Sequence, residues 1–380
     1  MTRGGLPTRA IAILGLGMFG QGLAVGGFGA YVTVLVASGV SPGVAGFGST
    51  LFLLGQLLAV LPIDVLSRRW PVRYVAGVGM FLGAAGTALG GVLTIEIHLL
   101  GRLLLGIGTG ATFLTVMKYG GLRAEGEAVA RTQGLIGALF TLGLAVGIAT
   151  MPSAVDQLDP VLPSVLAAVP VALSGLLALS LVPVTGEPIP DLAAYLEPFG
   201  NAVGLSLGLA NAASYGFLVV AVTWYTDIIA GSPALPATLV LTGFAVATFV
   251  GRTGSGWLTA VATERRSVGG SLAFLAVALA LVAFALALEA SAFLAVALVL
   301  TGLGFGLPFG PLFSLAFESK DSDAGVLLVG MTALGNAGAL IYPWLVGQLL
   351  SLTDSYVVGF VVMSVSVLFV TVLWRRALYA

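Results

Sequence analysis

Apolar runs of about 20 residues recur along the whole of this 380-residue chain, each long enough to cross a hydrocarbon core of about 30 Å. That pattern leaves few folds open. Backbone groups in lipid must be satisfied within the segment or in a closed barrel, and barrel strands would alternate apolar and polar residues, which these runs do not. The spans are therefore expected to be helices in an all-α integral membrane protein. Composition agrees: 58% of residues are hydrophobic and 8% charged, with mean hydropathy +1.11, whereas soluble domains average about 25% charged. The 54 glycines suit helices packed closely through small residues. The absence of cysteine excludes a disulfide framework, a thiolate metal site and a cysteine nucleophile. His98, the single histidine, leaves little for a histidine metal site, so no metal or cofactor is expected. Net charge is −1 with no basic block, so no nucleic-acid partner is expected.

Residues 1–9 form a short tail with Arg3 and Arg9. The run 11–37 exceeds the apolar region of a signal peptide, about 7–15 residues, and is read as the first span. Further spans are expected at 44–63, 74–94, 99–118, 129–150 and 161–183, then at 200–226, 235–260, 268–288, 290–316, 325–350 and 356–374, twelve in all. The polar, proline-containing stretch 185–199 is expected to link an N-terminal bundle, 1–184, to a C-terminal bundle, 200–380. With the N-terminus inside, one face collects Arg3, Arg9, Arg68, Arg69, Arg73, Lys118, Arg123, Arg131, Arg265, Arg266, Lys320, Arg375 and Arg376. The other face holds acids such as Glu96, Asp156, Asp159, Glu289 and Asp354 and no basic residue. The positive-inside rule then predicts a multi-pass cell-membrane protein with both termini cytoplasmic.

The two halves look alike. An offset of 196 residues carries Gly106, Gly108 and Gly110 onto Gly302, Gly304 and Gly306. It also carries the stretch Val60-Leu-Pro-Ile-Asp64-Val-Leu-Ser-Arg68-Arg69 onto Gly256-Trp-Leu-Thr-Ala260-Val-Ala-Thr-Glu264-Arg265. This is the mark of an internal duplication. Asp64, where span two is expected to end, is placed to accept from a facing helix N-terminus or from Arg73, a contact favouring one packing of the bundles. The alternative is an ordinary polar helix end held by the positive-inside rule.

On these residues the chain resembles the major facilitator superfamily, over nearly its full length. The family signature between spans two and three, G-x-x-x-D-R-x-G-R-R, is matched by Asp64, Arg68 and Arg69, while Val60, Val65 and Ser67 depart from it. The span-four signature, an arginine followed by spaced glycines, is matched by Arg102, Gly106, Gly108 and Gly110. The resemblance implies two pseudo-symmetric six-helix bundles and a cavity, lined by spans one, four, seven and ten, that opens to each side in turn. It implies a secondary transporter of a small molecule, with Asp64, Arg68, Arg69 and Arg73 in a gating role. Ala260 in place of a second Asp64 argues against a symmetric latch.

Two arginines fall inside spans, where a cation should face a cavity or a partner. Arg102 shares a helical face with Gly106, Thr109 and Phe113; it either bonds backbone carbonyls or lines the cavity. Arg252 lies deeper, between Gly251 and Gly254, with room for a planar anion gripped by two donors. Its eight-residue spacing from Ala260 resembles the span-eight arginine of nitrate/nitrite, monocarboxylate and oxalate/formate carriers, which meets the anion there. The alternative is a structural arginine. The 196-residue offset maps Arg252 onto Gln56, where nitrate porters have a second arginine; a glutamine there can still donate a hydrogen bond. No carboxylate lies mid-span, since Asp64 and Asp227 sit at ends, and this favours exchange, facilitated flux or coupling through the arginines. Gln21, Tyr31, Asn211, Tyr215 and Asn336 are further polar candidates for the cavity, or else interhelical plugs worth about 0.6 kcal/mol.

Gly134, Gly143 and Gly147 in span five match part of an antiporter glycine pattern. Pro308, Pro311 and Pro343 predict kinks in spans ten and eleven. An intramembrane enzyme would need a nucleophile, metal cluster or acid–base pair. A sensor would bring a soluble domain, and a channel would form a ring around a pore. The expected function is a monomeric carrier of a small, anionic solute; efflux of hydrophobic compounds is the alternative.

Overall fold

The computed structural model describes residues 8–123, 127–184, 188–232, 236–318 and 324–379. Among them are twelve helices long and apolar enough to cross a membrane: Thr8–Ala37, Pro42–Arg69, Val72–Leu89, Ile95–Gly120, Leu135–Gln157 and Val161–Ala178 in the first half, then Ala202–Ala230, Ala237–Ser255, Glu264–Ala287, Ser291–Ala316, Gly325–Thr353 and Val357–Arg376. They are called spans one to twelve. Arg3 and Lys320 lie outside the described residues, as do the side chains of Arg123, Arg131, Trp257 and Ala260.

Each half is a six-helix bundle with the same pairings. Span two packs on four as eight packs on ten, three on six as nine on twelve, and one on five as seven on eleven. The repeated glycines explain how. A Cβ on Gly106 would stand 2.1 Å from the Phe52 carbonyl oxygen, and one on Gly302 would stand 2.3 Å from that of Phe244. The backbones of spans four and ten thus lie directly on spans two and eight, a closeness only glycine permits. Gly110 faces Gln56, and its counterpart Gly306 faces Arg252. The offset that equates Gln56 with Arg252 in sequence therefore equates them in space.

The bundles meet along spans two and eleven and along five and eight, with one and seven touching at one end. We call that end, away from Thr8 and Arg376, the distal end, and the other the terminal end. At the distal end the contact is backbone on backbone. A Cβ on Gly46 would stand 2.5 Å from the Pro343 carbonyl oxygen and 2.6 Å from the Trp224 ring, and one on Gly29 would stand 2.5 Å from the Val222 carbonyl oxygen. Ser49 and Thr223 bond across the same seam at 2.7 Å.

Four spans are interrupted. Span ten breaks between Ser291–Gly306 and Phe309–Glu318, at Pro308, which has no N–H to donate. Span eleven breaks between Ala324–Ala339 and Tyr342–Thr353, ahead of Pro343. Span one breaks at Gly27, and span seven holds a five-residue π-turn, Ala212–Gly216. The 185–199 stretch, expected as a polar linker, contains a helix, Leu192–Gly200, whose first turn is capped by Asp191 accepting from the Ala194 N–H at 2.9 Å. Tyr195 and Pro198 are its buried face.

Candidate functional site: a cavity between the bundles

A cavity of about 30 Å³ lies between the two bundles. Its polar lining is Gln56, Thr109, Asn211, Tyr215, Arg252 and Thr332; its apolar lining is Met18 and four rings, Phe113, Phe140, Phe309 and Phe313. Spans one, four, seven and ten contribute, and so do two, five, eight and eleven. The π-turn of span seven begins just after Asn211 and contains Tyr215, so the widened turn sits at the cavity wall. Such turns are frequent at functional sites because they redirect the side chains that follow.

Arg252 is 7% exposed, with its guanidinium carbon 4.3 Å from the Phe309 ring centre and 6.0 Å from that of Phe140. Its Nε and one terminal nitrogen have no hydrogen-bond partner. The ion pairs among the described residues that could have supplied a carboxylate converge instead on Asp64. A buried cation without a counter-charge is expensive, by several kcal/mol even after relaxation, and its open donors are suited to an acceptor of opposite charge. Opposite, Gln56 donates from Nε2 to the Tyr215 hydroxyl at 2.8 Å, a bond that crosses from one bundle to the other. The hydroxyls of Thr109 and Thr332 are buried without partners.

Not every polar candidate faces this cavity. Asn211 lines it and also donates to the Met331 carbonyl at 3.4 Å. Gln21 lies inside the N-terminal bundle, donating to Thr112 Oγ1 at 2.8 Å, and acts as an interhelical plug. Tyr31 donates to the Pro160 carbonyl and accepts from Ser164, beside Arg102 in a separate pocket. Asn336 is fully buried one turn beyond Thr332 and is not part of the lining. The four phenylalanines were not expected as a group. Their one signal was the spacing of Phe309 and Phe313, one helical turn apart and facing the same way.

At the terminal end, Asp64 lies near the end of the helix Pro42–Arg69, ahead of Arg68 and Arg69, and it is fully buried. Its carboxylate accepts from Arg68 Nε at 2.7 Å, pairs with Lys118 of span four and accepts from the Tyr195 hydroxyl of the linker helix. Arg68 also donates to the Pro188 carbonyl at 2.8 Å. Arg73, one of the two expected donors, turns away to the Leu181 carbonyl at 2.9 Å and to Tyr74. Arg69 is exposed. The linker helix thus reaches Asp64 in one bundle, and its Pro198 packs against Gly330 in the other. At the distal end, Tyr356 donates to Asp227; burial first, then the charge of Asp227 and the bond to it, push this phenol above its ordinary range.

The Major Facilitator Superfamily model matches residues 14–324. Among solved structures, a D-xylose–proton symporter superposes with TM-score 0.78, at 13% identity over 97% of both chains. A fucose–proton symporter of E. coli superposes with TM-score 0.70, at 14% identity over 97% of this chain and 98% of that one. None of the curated proteins compared with this chain matches it. With twelve spans in two like bundles, a cavity at their seam and a family match across both halves, the chain belongs to the Major Facilitator Superfamily and is a secondary transporter.

Proposed function

We propose that this transporter carries a small anion, bound at Arg252 with Gln56, Tyr215 and Asn211 around it. The observation that carries the reading is a buried guanidinium whose Nε and terminal nitrogen face the seam without an acceptor. The guanidinium lies over the Phe309 ring, with Phe140 further off, and its fork of donors suits a planar anion taking two parallel bonds. At about 30 Å³ the cavity offers room for about two waters, the scale of formate or nitrate. In this reading residues 1–184 and 200–380 are the two moving units of a monomer, and the basic bias puts both termini in the cytoplasm. The phenylalanine lining favours a second reading, efflux of apolar compounds, which needs no arginine.

A thermal-shift screen of the purified protein against nitrate, nitrite, formate, oxalate, lactate and pyruvate tests the proposal. At a hundred times its dissociation constant a ligand stabilises by about 2.7 kcal/mol. The expected result is a shift with one class of anion that disappears in Arg252→Gln. Shifts untouched by that substitution, or no shift with any of these anions, overturn it.

A further inference from the structure

The first half of the molecule has its own buried cation. Arg102 is 3% exposed, and its guanidinium carbon lies 3.7 Å from the Phe28 ring centre and 5.1 Å from that of Phe52. Its Nε reaches the Gly48 carbonyl only at 3.5 Å, and one terminal nitrogen has no hydrogen-bond partner. It lines a pocket of about 20 Å³ that is separate from the central cavity, enclosed by spans one, three, four, five and six. The polar neighbours there are already committed as donors. Tyr31 donates to Pro160, Ser164 to Tyr31, and Thr87 to the Gly83 carbonyl. His98, one turn earlier on span four, gives its Nδ1 to the Gly90 carbonyl at 2.7 Å and is not part of the lining. The pocket therefore presents a positive charge and spare N–H donors, and among the described residues no carboxylate answers them.

We propose that this pocket is a second anion site, holding one halide-sized monovalent anion on Arg102. A volume of about 20 Å³ is room for one such ion. Phe28 and Phe52 border the guanidinium, and the wall beside it is otherwise small, with Ala24, Gly27 and Ala167 leaving the space open. The bound ion neutralises a cation that otherwise stands alone inside the N-terminal bundle. The site does not depend on what Arg252 binds.

The test is thermal unfolding of the full-length protein in detergent. Sodium gluconate is exchanged stepwise for chloride or bromide at constant ionic strength. The expected result is a saturable midpoint rise of about 3 °C or more, kept in Arg252→Gln and lost in Arg102→Gln. Ala167→Leu, which fills the pocket and leaves the charge, is expected to abolish the response as well. A response lost only in Arg252→Gln assigns the halide to the central cavity and overturns the proposal, as does no response in the parent protein. If Arg102→Gln does not fold, bromide-soaked crystals of the parent decide. An anomalous peak beside Arg102 upholds the site, and a pocket without one overturns it.

Discussion

Arg252 and Gln56 occupy equivalent seats in the two halves, each facing the third glycine of its own repeat. One is a cation with open donors and the other a neutral amide bonded to Tyr215. Gln56→Arg would put a second guanidinium in the cavity with no carboxylate to meet it. The ligand-free variant is expected to melt lower, because each unpaired buried charge costs several kcal/mol. Its anion-induced thermal shift is expected to exceed that of the parent; equal shifts would show that position 56 does not meet the anion. The Gln56–Arg252 equivalence was readable in the sequence because a duplication preserves register. Gln21 was not, since a glutamine bonding Thr112 inside a bundle and one facing a cavity leave the same trace in a string of letters. Lys118 and Tyr195 were missed as partners of Asp64 for a related reason. They stand 54 and 131 positions away in the chain, and only packing brings them together.

At the level of elements, the breaks in spans ten and eleven could be read from Pro308 and Pro343, each of which removes a helical donor. The break at Gly27 and the π-turn Ala212–Gly216 contain no proline, so the sequence carries no such mark of them. The linker helix Leu192–Gly200 was hidden by Pro188 and Pro190 before it and Pro198 within it, and an Asp cap and the burial of Tyr195 and Pro198 outweigh them. Tyr195 ties this helix to Asp64 at the terminal end. Tyr195→Phe removes one bond to a buried carboxylate, worth about 1.5–3 kcal/mol, and leaves Arg68 and Lys118 in place. Amide exchange across 192–200 is expected to accelerate about tenfold or more while span two stays protected. Unchanged exchange would mean that the helix is held by Pro198 alone.

For the molecule as a whole, the duplication and the basic bias were legible, and with them the two bundles. The way the bundles close was not, because glycine-to-backbone contact leaves no chemical mark beyond the glycine itself. Gly46→Leu would drive a side chain into Pro343 and Trp224 and prop the distal end open. The chain has no cysteine, so Ser49→Cys provides a clean reporter at the sealed seam. Thiol labelling of that cysteine is expected to be at least about tenfold faster when Gly46→Leu is also present, the mark of a shifted population. Equal rates would show that the glycine contact does not hold this end shut.

In the proposed reading, the charge of Arg252 also has an electrical meaning. When a carrier opens to one side, the membrane voltage falls almost wholly across its closed half, so the site takes the potential of the side it faces. An unloaded site that turns from outside to inside therefore moves one positive charge through the field, worth about 2.3 kcal/mol per 100 mV, whereas a site neutralised by a monovalent anion moves none. In an energised cell, negative within, the return of the empty carrier to the outside is the step that voltage retards. In the proposed reading the empty carrier is expected to rest facing the cytoplasm and to be released by depolarisation.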